Sequence, residues 1–379
     1  MKKKGEVMAV YLALTATVVA LGLFVKNSKY ALNGQGPSSF NSFERQQAFN
    51  AVIAFFIFTL LTLVSACRIA VGNDYWVYRF QFNLIMQDRH VSYEMGFNAV
   101  VKLLQYLFGY DNYLPVFAFF SIVTCAFFVK AIYDQSLFFG GSIFLLMTCG
   151  YYFSSLNTVR YYLCLAIAMF SMKYVIEKRY ISFITCILIA SLFHKTVLLV
   201  IPVYLFAGFL ADRKWKKLYT FILMAGAVIF VALEPLWRKV IFIFYPYYEG
   251  SVFDARNISL ANVAKCLGVF ILWAVICFYY KSPAKDDRAN RFYFFLNLGG
   301  ILVFTLGSFI PENTRVGYYF IISQVMFIPN MIRVMEKGKM KTVLTVGCAA
   351  VFLLYFALFL RNAYSVDIRL LPYRNIFFD

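Results

Sequence analysis

Four short polar constellations interrupt an otherwise apolar chain, and each carries residue types suited to binding an anion or moving a proton. The first is Arg68-Ile-Ala-Val-Gly72-Asn-Asp74-Tyr75-Trp-Val-Tyr78, directly after a long apolar run. A guanidinium there can grip phosphate with two parallel hydrogen bonds. Asp74 can fix that guanidinium or take a proton, and Tyr75 and Tyr78 are candidate substrate contacts. Glu94 follows at the start of the next helical segment, where it either holds Arg68 or faces the site itself. The second constellation, Asn157-Thr158-Val159-Arg160, opens an apolar segment, and free backbone N–H groups at such a start favour negative charge. The third, Phe193-His194-Lys195-Thr196, places an imidazole of ordinary pKa near 6.5 beside an ammonium. The fourth is Pro311-Glu312-Asn313-Thr314-Arg315, followed by Tyr318 and Tyr319.

Each constellation also has a plain structural explanation. Arg68 and Asp74 can simply pair at a membrane boundary. An interfacial Arg160 snorkels at little cost. His194 can satisfy a helix-end carbonyl, and Glu312 with Arg315 can be a local capping pair. The tail, with Arg361, Arg369, Tyr373 and Arg374, is either inert at the interface or folded over a cavity.

The elements that must position these groups are membrane helices. Of 379 residues, 62% are hydrophobic, and the mean hydropathy is +0.71. A soluble domain holds about 45–50% apolar residues, so the excess demands an apolar solvent. Segments 7–25, 48–67, 94–108, 113–130, 137–153, 159–176, 180–193, 196–211, 218–236, 259–280, 292–310, 316–332 and 342–360 approach spanning length. The expected fold is all-α, a polytopic transmembrane bundle of about 12–13 helices. Segments 94–108 and 180–193 are short enough to be re-entrant, broken or tilted. The chain is expected to be one membrane domain over 1–379: a first helix and variable loop in 1–47, a core in 48–332, and a last helix with an outer-face tail in 333–379.

The formal charge of +18 would suggest nucleic acid in a soluble protein. Here basic residues punctuate apolar runs, which reads as orientation by cytoplasmic Lys and Arg, so no nucleic-acid partner is expected. The connections 177–179, 212–217, 281–291 and 333–341 are each net positive and fall on one side if the intervening helices cross singly. They are assigned to the cytoplasm, which places 154–160, 194–195, 237–258, 311–315 and 361–379 outside. For the first third, Lys2, Lys3 and Lys4 favour an inside N-terminus, with 68–93 cytoplasmic. If 94–108 does not cross, 68–93 and the N-terminus both move outside. All eight cysteines lie in or beside apolar runs without CxxC spacing, so neither disulfides nor a metal cluster is indicated. HExxH, GxSxG and Walker A sequences are absent, which weakens metalloprotease, serine-hydrolase and ATPase readings. No cofactor or metal is expected.

At these residues the chain resembles the EpsG-type, Wzy-like family of bacterial exopolysaccharide and O-antigen polymerases. The matching positions are Arg68 with Val71-Gly72-x-Asp74-Tyr75-x-x-Tyr78 and Glu94-x-Gly96-Phe97; Asn157-x-x-Arg160; Ala190-x-x-Phe193-His194-Lys195-Thr196; and Arg315 with Gly317-Tyr318-Tyr319 and Pro329. They run in family order from about 48 to 332. Two positions depart from it: Tyr161 stands where the family usually has Gln, and Lys195 where Ser often follows the His.

The resemblance implies a membrane glycosyltransferase, broadly GT-C-like. It would join lipid-linked oligosaccharide repeat units at the outer face of the bacterial cytoplasmic membrane. Donor and acceptor would be undecaprenyl-pyrophosphate-linked glycans, with lipid pyrophosphate leaving. Membrane lipids and a chain-length regulator would be the other partners. In that setting Asp74, His194, Glu312, Arg160 and Arg315 are the candidate catalytic residues. Arg68, Tyr75, Tyr78, Glu94, Asn157, Lys195, Tyr318 and Arg361 are the candidate substrate contacts. An O-antigen ligase and a lipid-linked-glycan transporter or flippase are the alternatives. Convergent arginines can supply the charge stabilisation that a metal gives other glycosyltransferases. Chelation is therefore expected to leave glycan transfer intact; complete loss restored by one specific divalent ion is the contrary result.

Overall fold

Within a bilayer each backbone N–H and C=O must be satisfied inside its own segment, so long apolar runs become helices. The computed structural model describes all residues except 1–3, 27–39, 90, 92, 111, 214–225, 227, 245, 252–253, 257, 280–286, 367 and 378–379. Lys2, Lys3, the other histidine His90, much of the expected 218–236 span, and the basic stretches 214–217 and 281–286 lie outside the described residues. Among the described residues the fold is all-α, with no strand and a single isolated β-bridge.

The helices are α1 Lys4–Leu23, α2 Phe40–Ala66, α3 Asp74–Met86, α4 Met95–Phe108, α5 Leu114–Gln135, α6 Phe139–Thr148, α7 Tyr151–Ser155, α8 Val159–Ile176 and α9 Tyr180–Ser191. They continue with α10 Val200–Ala211, α11 Glu234–Phe244, α12 Leu260–Ala274, α13 Arg288–Thr305, α14 Asn313–Ile321, α15 Gln324–Arg333 and α16 Lys339–Asn362. Glu44–Ala66, Leu114–Gln135, Val159–Ile176, Leu260–Cys277 and Lys339–Asn362 are long and apolar enough to cross a membrane. The largely buried α8 packs against α5, α9, α10 and α14 and carries the core.

The two ends of the bundle differ in chemistry. At one end Asp212 pairs with Arg288 at 2.6 Å and Lys178 at 3.4 Å, joining the connections after α8, α10 and before α13. Asp134 pairs there with Lys130 at 2.5 Å and Lys173 at 2.6 Å. The basic connections thus share one end. The four polar constellations share the other.

Several expected spans are interrupted along their length. Segment 137–153 ends as a helix at Thr148, turns at Gly150 with φ +78°, and resumes as α7. Segment 316–332 divides at Ile322–Ser323 into α14 and α15. Segment 196–211 begins as a 3-10 turn over Lys195–Leu199 before α10.

The larger correction concerns 68–108. Residues 74–86 form a helix, and α3 and α4, at ~1.5 Å per residue, measure about 20 Å against a hydrocarbon core of ~30 Å. They pack on each other. The N-terminus of α4 abuts the α9 exit turn, with Gly96 N–H donating to Leu192 O at 3.0 Å. The end of α2 meets the start of α5, where Ser65 and Ser121 hydroxyls lie 2.7 Å apart. The chain therefore leaves and re-enters the bundle at one end, and 94–108 does not cross. Tyr11 near the start of α1 donates to Leu370 O at the polar end (2.8 Å), while the Lys26 N–H after α1 donates to Asn50 Oδ1 at the start of α2 (3.1 Å). The α1 start consequently shares the end of Asp74, against the preference of Lys2–Lys4.

The tail folds back across this end. Ile69 N–H donates to Arg374 O at 3.0 Å, Gly72 N–H to Arg369 O at 2.8 Å, and Ile376 N–H to Cys67 O at 3.0 Å. In a cysteine-free background, Asn73→Cys and Lys195→Cys are expected to react with an impermeant thiol reagent from the same side, and Arg213→Cys from the other. Labelling of Asn73→Cys together with Arg213→Cys would overturn this topology.

Candidate functional site

The polar end is built from helix N-termini brought face to face. Asp74 begins α3, Glu94 precedes α4, Thr158 and Arg160 begin α8, His194 precedes the 3-10 turn into α10, and Glu312 precedes α14. Such ends expose unpaired N–H groups and favour negative charge. Two glycines permit the approach. Gly72 has φ +90°, and a Cβ there would lie 2.8 Å from Asn157 Cα; a Cβ on Gly96 would lie 2.7 Å from Leu192 Cβ.

Glu94 is the hub. One carboxylate oxygen accepts from Arg160 Nη1. The other accepts the Lys195 backbone N–H at 3.1 Å and lies 3.4 Å from His194 Nδ1. The Glu94 and His194 side chains are 10% and 14% exposed, so these bonds are largely sheltered from water. A carboxylate only accepts, so Nδ1 is the donor; the neutral ring then presents Nε2 as an acceptor. Burial, the largest influence on Glu94, pushes its carboxyl up. The His194 hydrogen bond, the Arg160 guanidinium and the Lys195 amide outweigh it and hold the group below its ordinary value. Burial lowers the His194 imidazole, so the ring is neutral at pH 7.

Asp74 is held separately. Its backbone N–H donates to Asn157 Oδ1 at 2.8 Å, a distant side chain capping α3, and Thr158 Oγ1 donates to Asp74 Oδ2 at 3.1 Å. Burial raises its carboxyl above the ordinary value, and Thr158, Arg315 and Arg160 oppose that. Asp74 thus lies within electrostatic reach of both arginines.

The arginines differ in freedom. Arg160 lies 3.6 Å above the Tyr93 ring, and its buried Nε has no hydrogen-bond partner among the described residues. Arg315 pairs with Glu312 at 3.0 Å and keeps 38% of its side chain exposed, while its carbonyl accepts from Tyr161 Oη at 2.6 Å. Glu312 sits at φ +52°, a strained conformation for a side-chain-bearing residue that only surrounding contacts maintain. Lys195 is exposed, and its backbone N–H joins it to Glu94.

The structure therefore gathers Asp74, Glu94, Asn157, Arg160, His194, Lys195, Glu312 and Arg315. Arg68 is a correction. It is 1% exposed, donating through Nε to Leu156 O at 3.1 Å and through Nη1 to Ser65 O and to Ser121 Oγ at 3.2 Å, with Phe117 beneath it. It ties α2, α5 and the α7 exit together, and Asp74 is not its partner. Tyr75, stacked on Phe117 at 4.7 Å, and Tyr78, packed against Phe97 at 5.9 Å, are buried beneath the site and support α3. Tyr318 points away toward Tyr151, and Arg361 is exposed at the end of α16. Thr158, Tyr161 and Tyr93 were not assigned roles from sequence. Thr158 and Tyr161 fall inside a polar constellation; Tyr93 carries no signal beyond its neighbour Glu94.

Fold and site together define a multi-pass helical membrane protein with a cationic, carboxylate-organised site at one end. The chain belongs to the EpsG family, whose model matches residues 51–375. The match reaches beyond 332 into the tail. No curated protein and no solved structure matches it. Family membership suggests a polysaccharide-polymerase type of role.

Glu94→Gln removes the charge shared by Arg160 and His194, and is expected to cost about 1–3 kcal/mol of stability. Because the folded Glu94 carboxyl is held below its unfolded value, the parent's advantage should be full above about pH 4.3 and fade as pH falls through the folded value. Thermal unfolding of both proteins from pH 8 to pH 3 checks this; a gap unchanged down to pH 3 is the contrary outcome.

Proposed function

We propose that the chain is a polysaccharide polymerase that transfers a glycan from one polyprenyl pyrophosphate to the sugar end of a second lipid-linked repeat unit. The observation that carries this reading is the Glu94 hub, which orients a neutral imidazole beside Arg160, at the same end as Asp74 and Arg315. Its location opposite the basic connections supports an outward-facing site in the bacterial cytoplasmic membrane, since cytoplasmic loops gather Lys and Arg. An O-antigen ligase uses a similar donor, but no structural observation favours it.

In this reading the acceptor hydroxyl gives its proton to His194 Nε2, with Asp74 orienting the same hydroxyl. The hydroxyl oxygen bonds to the donor anomeric carbon as the bond from that carbon to the pyrophosphate oxygen breaks. Charge then gathers on the departing pyrophosphate, where Arg315, the more open guanidinium, and Lys195 receive it. Arg160 has one arm on Glu94 and a hydrogen bond with Tyr78, which suits a residue that holds the hub.

Incubating the purified protein with a defined undecaprenyl-pyrophosphate oligosaccharide is expected to yield a ladder spaced by the repeat-unit mass. Absence of a ladder from correctly folded protein sinks the reading. Arg315→Lys keeps a charge but loses the two-point grip on phosphate, so turnover is expected to fall, by up to roughly 100-fold. In single-turnover transfer, His194→Gln should slow the chemical step with acceptor affinity kept, whereas Asp74→Asn should weaken acceptor binding. The parent's acid limb should lie below about pH 6.5, because burial lowers His194 and activity fails only once the ring is protonated. Parental rates in both the His194 and Asp74 variants would place the acceptor elsewhere.

A further inference from the structure

Lys265 belongs to none of the four constellations. It lies within the apolar helix Leu260–Cys277 and is half-buried. Its Nζ donates to Tyr355 Oη at 3.4 Å and stands 4.6 Å from that ring's centre and 6.0 Å from that of Tyr318. No carboxylate pairs with it among the described residues. An ammonium inside a membrane helix is costly unless it has a counter-charge, and a functional partner is the default explanation.

Lys265 heads a groove. Helices α12 and α16 diverge to leave an apolar trough of about 540 Å³, walled by Ile271, Leu272, Val351, Leu354 and Leu358. That lies within the ~300–1,000 Å³ of small-molecule sites. Gly268 and Gly347 both line it, and a Cβ added to either meets no atom within 4 Å. Packed helix interfaces use glycine to let backbones touch. Here both glycines face open space, and the groove is wide where they lie.

Lys265 stands 6.0 Å from the centre of the Tyr318 ring, three residues after Arg315 on α14, so the charged end of the groove lies at the same end of the bundle as the candidate site. An apolar chain in the trough would therefore place an anionic head at Lys265.

We propose that the α12–α16 groove seats the isoprenoid chain of the polyprenyl pyrophosphate substrate, with Lys265 taking a phosphate oxygen. This deepens the polymerase reading and rests on it for the substrate class. Charge complementarity with Lys265 selects an anionic head, and the polymerase reading selects a polyprenyl chain behind it; competition with phosphatidylglycerol separates this lipid from an ordinary anionic phospholipid.

The test measures equilibrium binding of labelled undecaprenyl phosphate to the full-length protein in phosphatidylcholine nanodiscs, independently of polymerisation. Gly268→Leu and Gly347→Leu fill the trough without a clash and improve helix propensity, so they should fold while weakening binding about tenfold or more. Lys265→Met is expected to lose about tenfold, and Lys265→Arg, which keeps the charge, to bind as the parent does. Excess phosphatidylglycerol should fail to displace the label. Parental affinity in both leucine variants, or equal displacement by phosphatidylglycerol, overturns the proposal. Groove-dependent binding without a glycan ladder leaves the groove standing and sinks the polymerase reading. A ladder from the parent with unaltered binding in the leucine variants does the reverse.

Discussion

One shielded carboxylate organises the polar end of this bundle. Glu94 accepts from a guanidinium on α8, an imidazole after α9 and the adjoining backbone N–H, and it enters from the start of α4. Three pieces of chain far apart in sequence are thus fixed by two oxygen atoms. The arrangement sets chemistry as well as position. The Nδ1 contact determines which imidazole nitrogen remains open, and the Arg160 contact leaves Arg315 as the more exposed arginine. Charge-assisted bonds of this kind strengthen where water is scarce, and Glu94 is only 10% exposed. Removing the carboxylate would leave the Arg160 guanidinium without its counter-charge and the His194 Nδ1–H without its acceptor.

The short helices follow from the same requirement. Side chains that must meet at one end cannot all project from helices running straight through the bilayer. The chain breaks at Gly150, at Ile322–Ser323 and at the 3-10 turn after His194, and it lays α3 and α4 across the end without crossing. Irregular backbone at membrane depth is tolerated where protein buries it, and much of this break region is buried. At the opposite end Asp134 and Asp212 each pair with two basic residues, so positive charge is partly compensated there. The two ends use the same residue types for different ends: one to anchor, the other to leave cations partly free.

Much of this was legible from sequence. Arg160, His194 and Arg315 stood out because a polar residue interrupting an apolar run is expensive, and all three gather as that cost suggests. The net-positive connections also located one end correctly where they are described. Orientation of the first third was not legible, because Lys2–Lys4 argue by charge alone, while the short α3–α4 pair shifts the parity of crossings. Arg68 was misread for a different reason: type and spacing reveal a guanidinium, but not that Ser65, Ser121 and Leu156 would use up its donors. Lys265 went unnoticed because a single lysine near a helix end reads as snorkelling. Its groove exists only where two helices distant in sequence fail to touch.

The backbone N–H groups of Ile69, Gly72 and Asn73 find their acceptors at Arg374, Arg369 and Ile368, and Tyr373 Oη reaches Val64 O at 2.9 Å. These partners lie some 300 residues downstream of the strip they cover. During synthesis the first constellation therefore emerges long before anything can satisfy it. The end of the bundle that carries Asp74 is completed by residues made some 300 positions later, so a nascent chain can hold its inserted helices and still lack a finished site.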